Sequence, residues 1–343
     1  MKRWTVTALT TVVAVLATAC SSGGTLPRDS GGKVVLPPKH IAVAGRLYAT
    51  KRRTLYRFSG TRLTALLASM KVKDPAVSGD GSRLAFAELQ EQSSTIVVCD
   101  PSGQNRQTIT PASGPEGSLW AYAPAFSQDG THIAYLSDRG KQPSNPQNLK
   151  PNDFGVWVYD ATTGQSRRLA TPTPYTGGDS DELYRPGASD QMIYTTYLYS
   201  GDPPQPAARV SWLSMRTGAR FYLSPDGARN FEPAVSPDGR FMAFIHAEAG
   251  SDDLYVAPLA PSYSREPTPY PTGTAVLLQA GMVSQPVWAP DGSAIAFLML
   301  SNGSFDLFVL PVSSLEGIHA SGPAQAVTHA SFLDADSRLA WSA

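Results

Sequence analysis

The 343-residue chain has no net charge: 28 basic side chains are matched by 28 acidic ones. No Lys/Arg block departs from that balance locally, so nothing draws the chain to nucleic acid. Cysteine is limited to Cys20 and Cys99, which excludes a fold built on a disulfide framework. Catalytic signatures are also missing. There is no Gly-x-Ser-x-Gly elbow, no Gly-rich phosphate loop opening a helix, and no convincing helix at all. The five histidines (40, 132, 246, 319 and 329) show no metal-ligand spacing. What the chain does have is turns and core. With 29 glycines, 29 prolines and 42% hydrophobic residues, it reads as one large all-β domain or two ordinary ones.

Met1-Lys2-Arg3 is a short cationic start, followed by an almost uncharged apolar stretch from Trp4 to Thr18. That stretch is too short to span a bilayer comfortably, where roughly 20 residues are needed, and it fits the core of a signal peptide. It ends in Leu16-Ala17-Thr18-Ala19-Cys20, then Ser21-Ser22-Gly23-Gly24. This resembles a bacterial lipoprotein signal, with Ala17 standing where leucine is usual. The resemblance implies cleavage after residue 19, diacylation of Cys20 and anchorage on the extracytoplasmic face of the cell membrane. Cleavage by an ordinary signal peptidase, with Cys20 incidental, is the alternative. Residues 20–39, rich in Ser, Gly and Pro, read as a flexible tether, and 40–343 as the folded body.

The body repeats. Pro75-Ala76-Val77-Ser78-Gly79-Asp80-Gly81, Pro124-Ala125-Phe126-Ser127-Gln128-Asp129-Gly130, Pro233-Ala234-Val235-Ser236-Pro237-Asp238-Gly239 and Pro286-Val287-Trp288-Ala289-Pro290-Asp291-Gly292 share one template. Pro186-Gly187-Ala188-Ser189-Asp190 reads as a degenerate copy. Each precedes an apolar strand ending in an aromatic: Phe86, Tyr135, Tyr194, Phe244 and Phe297. A sixth, decayed copy is read in Ser337-Arg338-Leu339-Ala340-Trp341. Successive aromatics lie 44 to 59 residues apart, a period that holds four short strands. Asp-Gly supplies the turn between the first two strands, because glycine takes positive φ without steric cost.

The template resembles the PD40, or TolB-like, β-propeller repeat, whose Ser-Pro-Asp-Gly hallmark is complete at 236–239. The fold expected is therefore an all-β propeller of six four-stranded blades, with seven as the alternative. Residues 54–67 read as third and fourth strands, with residues 41–49 a candidate extra strand. The C-terminal segment would supply the early strands, so that both ends share the closing blade and leave no open sheet edge.

In this family's geometry the residues just before each repeat proline face the channel mouth. Here they are Lys73, Asp74, Tyr122, Ala123, Tyr184, Arg185, Phe231, Glu232, Ser284 and Gln285. Aromatic area with a few directional polar groups suits a protein or peptide partner. Two long insertions, Ser137–Asp153 and Ser262–Pro271, are second candidates. Asp179, Asp181 and Glu182 read as an acidic loop with oxygen ligands for Ca²⁺, although a solvated loop is the commoner reading. No other cofactor is expected.

The resemblance implies a monomeric, non-catalytic scaffold that binds an envelope protein or peptide. The alternative is a propeller enzyme, such as a lyase or lactonase, acting on a carbohydrate or small molecule at the channel mouth. The fold hosts both kinds of function.

Overall fold

A computed structural model describes residues 43–60, 62–141, 153–172, 176–260, 275–314 and 317–343. The expected signal sequence, Cys20 and the expected tether lie outside the described residues, as do most of the first insertion and all of the second.

Six antiparallel sheets form the ring expected from the repeats. Blade one runs from Val72 to Thr108, blade two from Ala121 to Arg168 and blade three from Asp179 to Tyr222. Blade four spans Asn230 to Gln279 and blade five begins at Val283. The outermost strand of blade five is split into two short pieces, His319–Ala320 and Gln325–Ala326, both paired to Ser304–Ser313.

Side-chain chemistry closes the turn of each full repeat. In blade one, Ser78 Oγ donates to Asp80 Oδ1 at 2.6 Å and accepts the Arg83 N–H at 2.9 Å. Asp80 Oδ1 also accepts the Ser82 N–H at 3.0 Å. The same clamp joins Ser127 to Asp129 and Ser236 to Asp238, each at 2.6 Å. These bonds favour the charged form, so the Asp129 carboxyl is held down at about 2 and that of Asp80 lower still.

The second-strand aromatics are the wedges between blades. Phe86, Tyr135, Tyr194, Phe244 and Phe297 are all buried, most of them completely. Burying each such ring contributes about 1.5–3 kcal/mol.

The closing blade corrects one sequence expectation. Its second strand is Val43–Lys51, its third Thr54–Gly60 and its fourth Arg62–Leu66, so the C terminus supplies a single strand, Ala340–Ser342. The aromatic wedge of this blade is Tyr48, fully buried, and not Trp341. Trp341 pairs with Leu47 and donates its indole N–H to Ala44 O at 2.7 Å. In blade five Trp288 likewise donates to a backbone carbonyl, but to one in the preceding blade, Ala234 O at 3.0 Å. The final copy is thus a first strand, and Ser337 to Ser342 aligns with Ser284 to Ala289. Glycine is required beside the last strand: Gly45 has φ +69°, and a Cβ there would run into Ser342 O.

Blade three carries a second correction. In blades one, two, four and five a bulge interrupts the pairing of the first two strands, as between Lys73/Ala87 and Ala76/Ala85. In blade three the bulge lies between Ser180/Thr195 and Leu183/Ile193. Asp181-Glu182 therefore occupies the place of Asp74-Pro75, and Pro186-Gly187 is the turn. The expected acidic loop is a strand: Asp179, Asp181 and Glu182 all lie on Asp179–Arg185.

Candidate functional site

The first strands of blades one to five run through the ring and carry their bulges at the same depth. Asp74, Ala123, Asp181, Glu232 and Gln285 sit there with φ between 52° and 55°, a left-handed conformation that is costly outside glycine. Neighbouring blades hold them there. Asp74 Oδ2 accepts the Ala123 N–H at 3.2 Å and its Oδ1 accepts the Arg338 N–H at 3.1 Å. The Asp74 N–H donates to Ser337 Oγ at 2.9 Å. Glu232 Oε2 accepts the Gln285 N–H at 2.6 Å while Oε1 accepts its side-chain amide at 2.8 Å. Between blades three and four, Thr195 Oγ1 donates to Asp181 Oδ2 at 3.1 Å and accepts the Glu232 N–H at 3.2 Å.

Arg338 fills the middle of this ring. It leaves the closing blade and reaches the blade opposite. Nη1 donates to Glu182 O at 3.0 Å and to Ala123 O at 3.2 Å. Nη2 lies 3.6 Å from Glu182 Oε2, and Nε lies 3.9 Å from Asp181 Oδ1. The guanidinium thus plugs the channel and joins three blades.

The ring is rich in acid. Asp181 and Glu182 face the Arg338 guanidinium, Asp74 and Glu232 lie within reach of its field, and Lys73 stands 3.9 Å from Asp74. Burial pushes the Glu182 carboxyl well above its ordinary range, against the attraction of Arg338. Glu232 is raised by burial and then by the neighbouring Asp181 charge. Asp74 is raised by burial, with Lys73 and Arg338 opposing. Asp179, further along the blade-three strand, is raised to about 6 by burial although Arg220 lies 3.2 Å away.

Above the plug, toward the Asp-Gly turns, the channel widens into a well of about 420 Å³ bordered by the first strands of all six blades. Its walls are prolines and small residues, with Trp288 and Trp341 from adjacent blades; Asp181, Glu232 and Arg338 border its base. Ser342 and Ala343 of the closing blade also border it.

The residues expected at the channel mouth divide. Glu232, Gln285, Arg185 and Tyr184 border the well. Tyr184 is nonetheless 7% exposed and packs between blades two and three, so it is a core residue with one edge on the well. Arg185 braces the next blade, donating to Gly239 O at 3.0 Å. Asp74 and Ala123 belong to the ring but do not border the well. Lys73, Tyr122, Phe231 and Ser284 lie one residue earlier, toward the face where the first strands enter, and do not border it either. There Lys73 Nζ stands 5.4 Å over the Tyr122 ring, which stacks on Trp120 at 6.0 Å.

Sequence reasoning passed over Arg338 and misread Asp181 and Glu182. The available signal was the match of Ser337-Arg338-Leu339-Ala340-Trp341-Ser342 to Ser284-Gln285-Pro286-Val287-Trp288-Ala289, which places Arg338 at the bulge position. Among the described residues, no three His, Cys, Asp or Glu side chains are arranged to hold a metal ion.

No protein-family model matches the chain. A TolB homologue of Chlorobium chlorochromatii is 27% identical over 237 residues, covering 65% of this chain and 45% of that protein. The Tol-Pal system protein TolB of Chromobacterium violaceum is 34% identical over 89 residues, 26% of this chain and 17% of that one. The chain thus spans less than half the length of the curated relatives it matches. Among solved structures, TolB from Acinetobacter baumannii superposes with a TM-score of 0.62 at 16% identity, covering 87% of this chain and 66% of that one. Likeness in sequence and a shared ring agree: the chain is a TolB-like six-bladed β-propeller protein.

Proposed function

We propose that the protein is a non-catalytic scaffold of the bacterial cell envelope that captures a protein or peptide partner in the central well and is held on the extracytoplasmic membrane face by lipid on Cys20. The observation that carries the binding reading is the well itself. It has an apolar wall, a polar base fixed by inter-blade hydrogen bonds, and a volume within the ~300–1,000 Å³ of sites that engulf small ligands or side chains. The sequence likeness to a protein named for the Tol-Pal system supports an envelope address, as does the signal-like N terminus.

The base of the well is suited to holding rather than to reacting. Glu232 is tied at both oxygens by Gln285, and Arg338 bonds to carbonyls and stands beside two carboxylates. A general acid or base needs freedom to exchange a proton with substrate, and these groups are held by protein partners. Two acyl chains, at about 0.8 kcal/mol per buried CH₂, would suffice for stable anchorage.

The test is in-cell crosslinking of the tagged protein followed by identification of captured partners, with Ala76→Trp run alongside. Ala76 borders the well and is only partly buried, so the larger side chain fills the cavity. A partner lost in Ala76→Trp supports the reading; a partner captured equally by both proteins refutes the well as the site. Cys20→Ser should move the protein from the membrane to the soluble fraction, and retention would refute the lipid anchor.

A further inference from the structure

Seven large apolar side chains are exposed among the described residues. Scattered singly they would need no explanation, but three of them are neighbours, and contiguous apolar surface marks a contact. Phe332, Leu300 and Met282 are 56%, 42% and 40% exposed. All three lie on the face where the first strands enter, opposite the well. The Leu300 N–H donates to Met282 O at 2.9 Å, and Leu300 pairs with Phe305 across the blade-five hairpin. The Leu333 N–H donates to Phe305 O at 3.0 Å, which sets Phe332 next in line.

Phe332 is held outward by its surroundings. Its N–H donates to Ser304 Oγ at 2.9 Å, and the buried Asp306 accepts the N–H groups of Ala330 and Ser331 at 3.0 and 2.9 Å. Ala330 and Phe332 take φ 48° and 52°, a left-handed conformation that is costly outside glycine. A backbone already fixed in this way loses little further freedom when the ring docks.

The two ends of the strip differ in charge. Beyond Phe332, Asp334 accepts the N–H groups of Arg52 and Arg53, which places the Lys51-Arg52-Arg53 hairpin at that end. Lys71 stands beside it, since the Val72 N–H donates to Arg53 O at 2.8 Å. The acids there are already engaged, Asp334 by those N–H groups and Asp336 by Arg53 and Lys73. Beyond Met282 the order reverses. Asp252 bridges to Met282, Asp253 Oδ1 accepts the Gly281 N–H at 2.8 Å, and Glu248 is exposed on the same hairpin. Against these three acids stands Arg229, two strands from Asp252 with Ala247 between. Among the described residues, Lys51, Arg52, Glu248 and Asp252 make no ion pair.

A strip with an apolar middle and opposite charges at its ends is complementary to itself. Turned about a two-fold axis at Leu300, it lies antiparallel on its copy. Phe332 then meets the second copy's Met282, and each basic end meets an acidic one. A rim of both signs around an apolar centre is the pattern of a protein interface, whereas an anionic bilayer draws patches of one sign.

We propose that two copies of the chain pair through this face, strip on strip about a two-fold axis, with both wells open on the outside of the dimer. The pairing is independent of what the well binds, and it replaces the monomer expected from the repeat resemblance.

Sedimentation velocity of the full chain in density-matched nonionic detergent, over a series of concentrations, tests it. A monomer–dimer equilibrium should appear, and Leu300→Glu should weaken it by roughly ten-fold or more. Arg52→Glu and Glu248→Lys, each alone, bring like charges together and should also weaken it. Carried on one chain they exchange the two ends, and the dimer should recover. That rescue is a result that unspecific apolar association would not give.

A chain that stays monomeric throughout overturns the proposal, as does a dimer that Leu300→Glu leaves intact. Charge variants whose losses add, with no recovery in the pair, overturn the antiparallel two-fold contact. A monomeric Cys20→Ser chain that pellets with phosphatidylglycerol vesicles, and no longer does so with Leu300→Glu, would assign the strip to a lipid surface and overturn the pairing as well.

Discussion

Replacing Arg338 with methionine removes the cation of the channel plug while keeping an unbranched side chain of similar reach. Two kinds of interaction are lost. Hydrogen bonds from Nη1 to the carbonyls of Ala123 and Glu182 go at every pH, costing about 1–2 kcal/mol. The pairing with the Glu182 and Asp181 carboxylates goes only to the extent that those groups are ionised. Glu182 and Asp74 bind their protons more tightly in the folded chain than in the unfolded one, because burial raises both. For such groups the folded state holds more protons in the window above the unfolded value, so stability falls as pH rises from about 4.5 through the folded pKa. Arg338 opposes that fall in the wild-type protein, and methionine does not.

The cost of Arg338→Met should therefore grow with pH. It should be smallest at the acid end, about 1–2 kcal/mol from the lost hydrogen bonds, and rise toward about 3–5 kcal/mol as pH increases and the buried Glu182 and Asp74 carboxyls give up their protons. That growth averages below the ~1.36 kcal/mol per pH unit that one full proton would give. Urea denaturation followed by tryptophan fluorescence, at pH values from 4.5 to 8, measures it directly. A cost that stays constant across the range, or shrinks as pH rises, would refute the assignment of Arg338 as counter-charge to these acids.

The closing blade offers three further tests. Asp334 accepts the N–H groups of Arg52 and Arg53 at 2.9 and 2.8 Å, holding both arginines in left-handed conformations at φ 50° and 62°. Asp334→Ala should lower stability by about 2–3 kcal/mol, since two partly exposed hydrogen bonds to a charged acceptor are lost together; a loss below half a kcal/mol in urea denaturation would dismiss the clamp. Gly45→Ala places a methyl against Ser342 O, and should destabilise by more than the ~1–2 kcal/mol of a left-handed alanine alone; a near-neutral effect would mean that the last strand does not approach Gly45. Trp341→Phe removes an indole hydrogen bond to the adjacent strand of its own blade and Trp288→Phe one to the preceding blade, and each should cost about 1–3 kcal/mol. A loss below about half a kcal/mol for either variant in urea denaturation would mean that its indole bond does not help to hold those strands together.

How much of this was legible in the sequence follows from how local each interaction is. The Ser78–Asp80–Gly81 turn is written within a few residues, so the repeat, the fold and the blade count could be read directly. The expectation that both chain ends share the closing blade held for the same reason. Blade three misled because Pro186-Gly187 imitates the start of the template while being its turn. Only pairing with Ile193 and Thr195 on the next strand reveals that Asp181-Glu182 holds the bulge. The site was less legible still, since the Arg338 partners Ala123 and Glu182 lie 215 and 156 residues away and belong to other blades. A propeller brings one residue per repeat to its axis, so its site is assembled from equivalent positions rather than from a contiguous motif. The repeat frame alone is enough to find such a site, provided every copy is set in register. Here the two copies that departed from the template, blade three and the C-terminal strand, are the ones that carry Asp181, Glu182 and Arg338. Their departures replace proline by Glu182 and by Leu339, and set Asp181 and Arg338 at the position where copies one, two, four and five carry Asp74, Ala123, Glu232 and Gln285. Degeneracy in these copies therefore coincides with the chemistry of the channel, which is where a consensus fold yields to function.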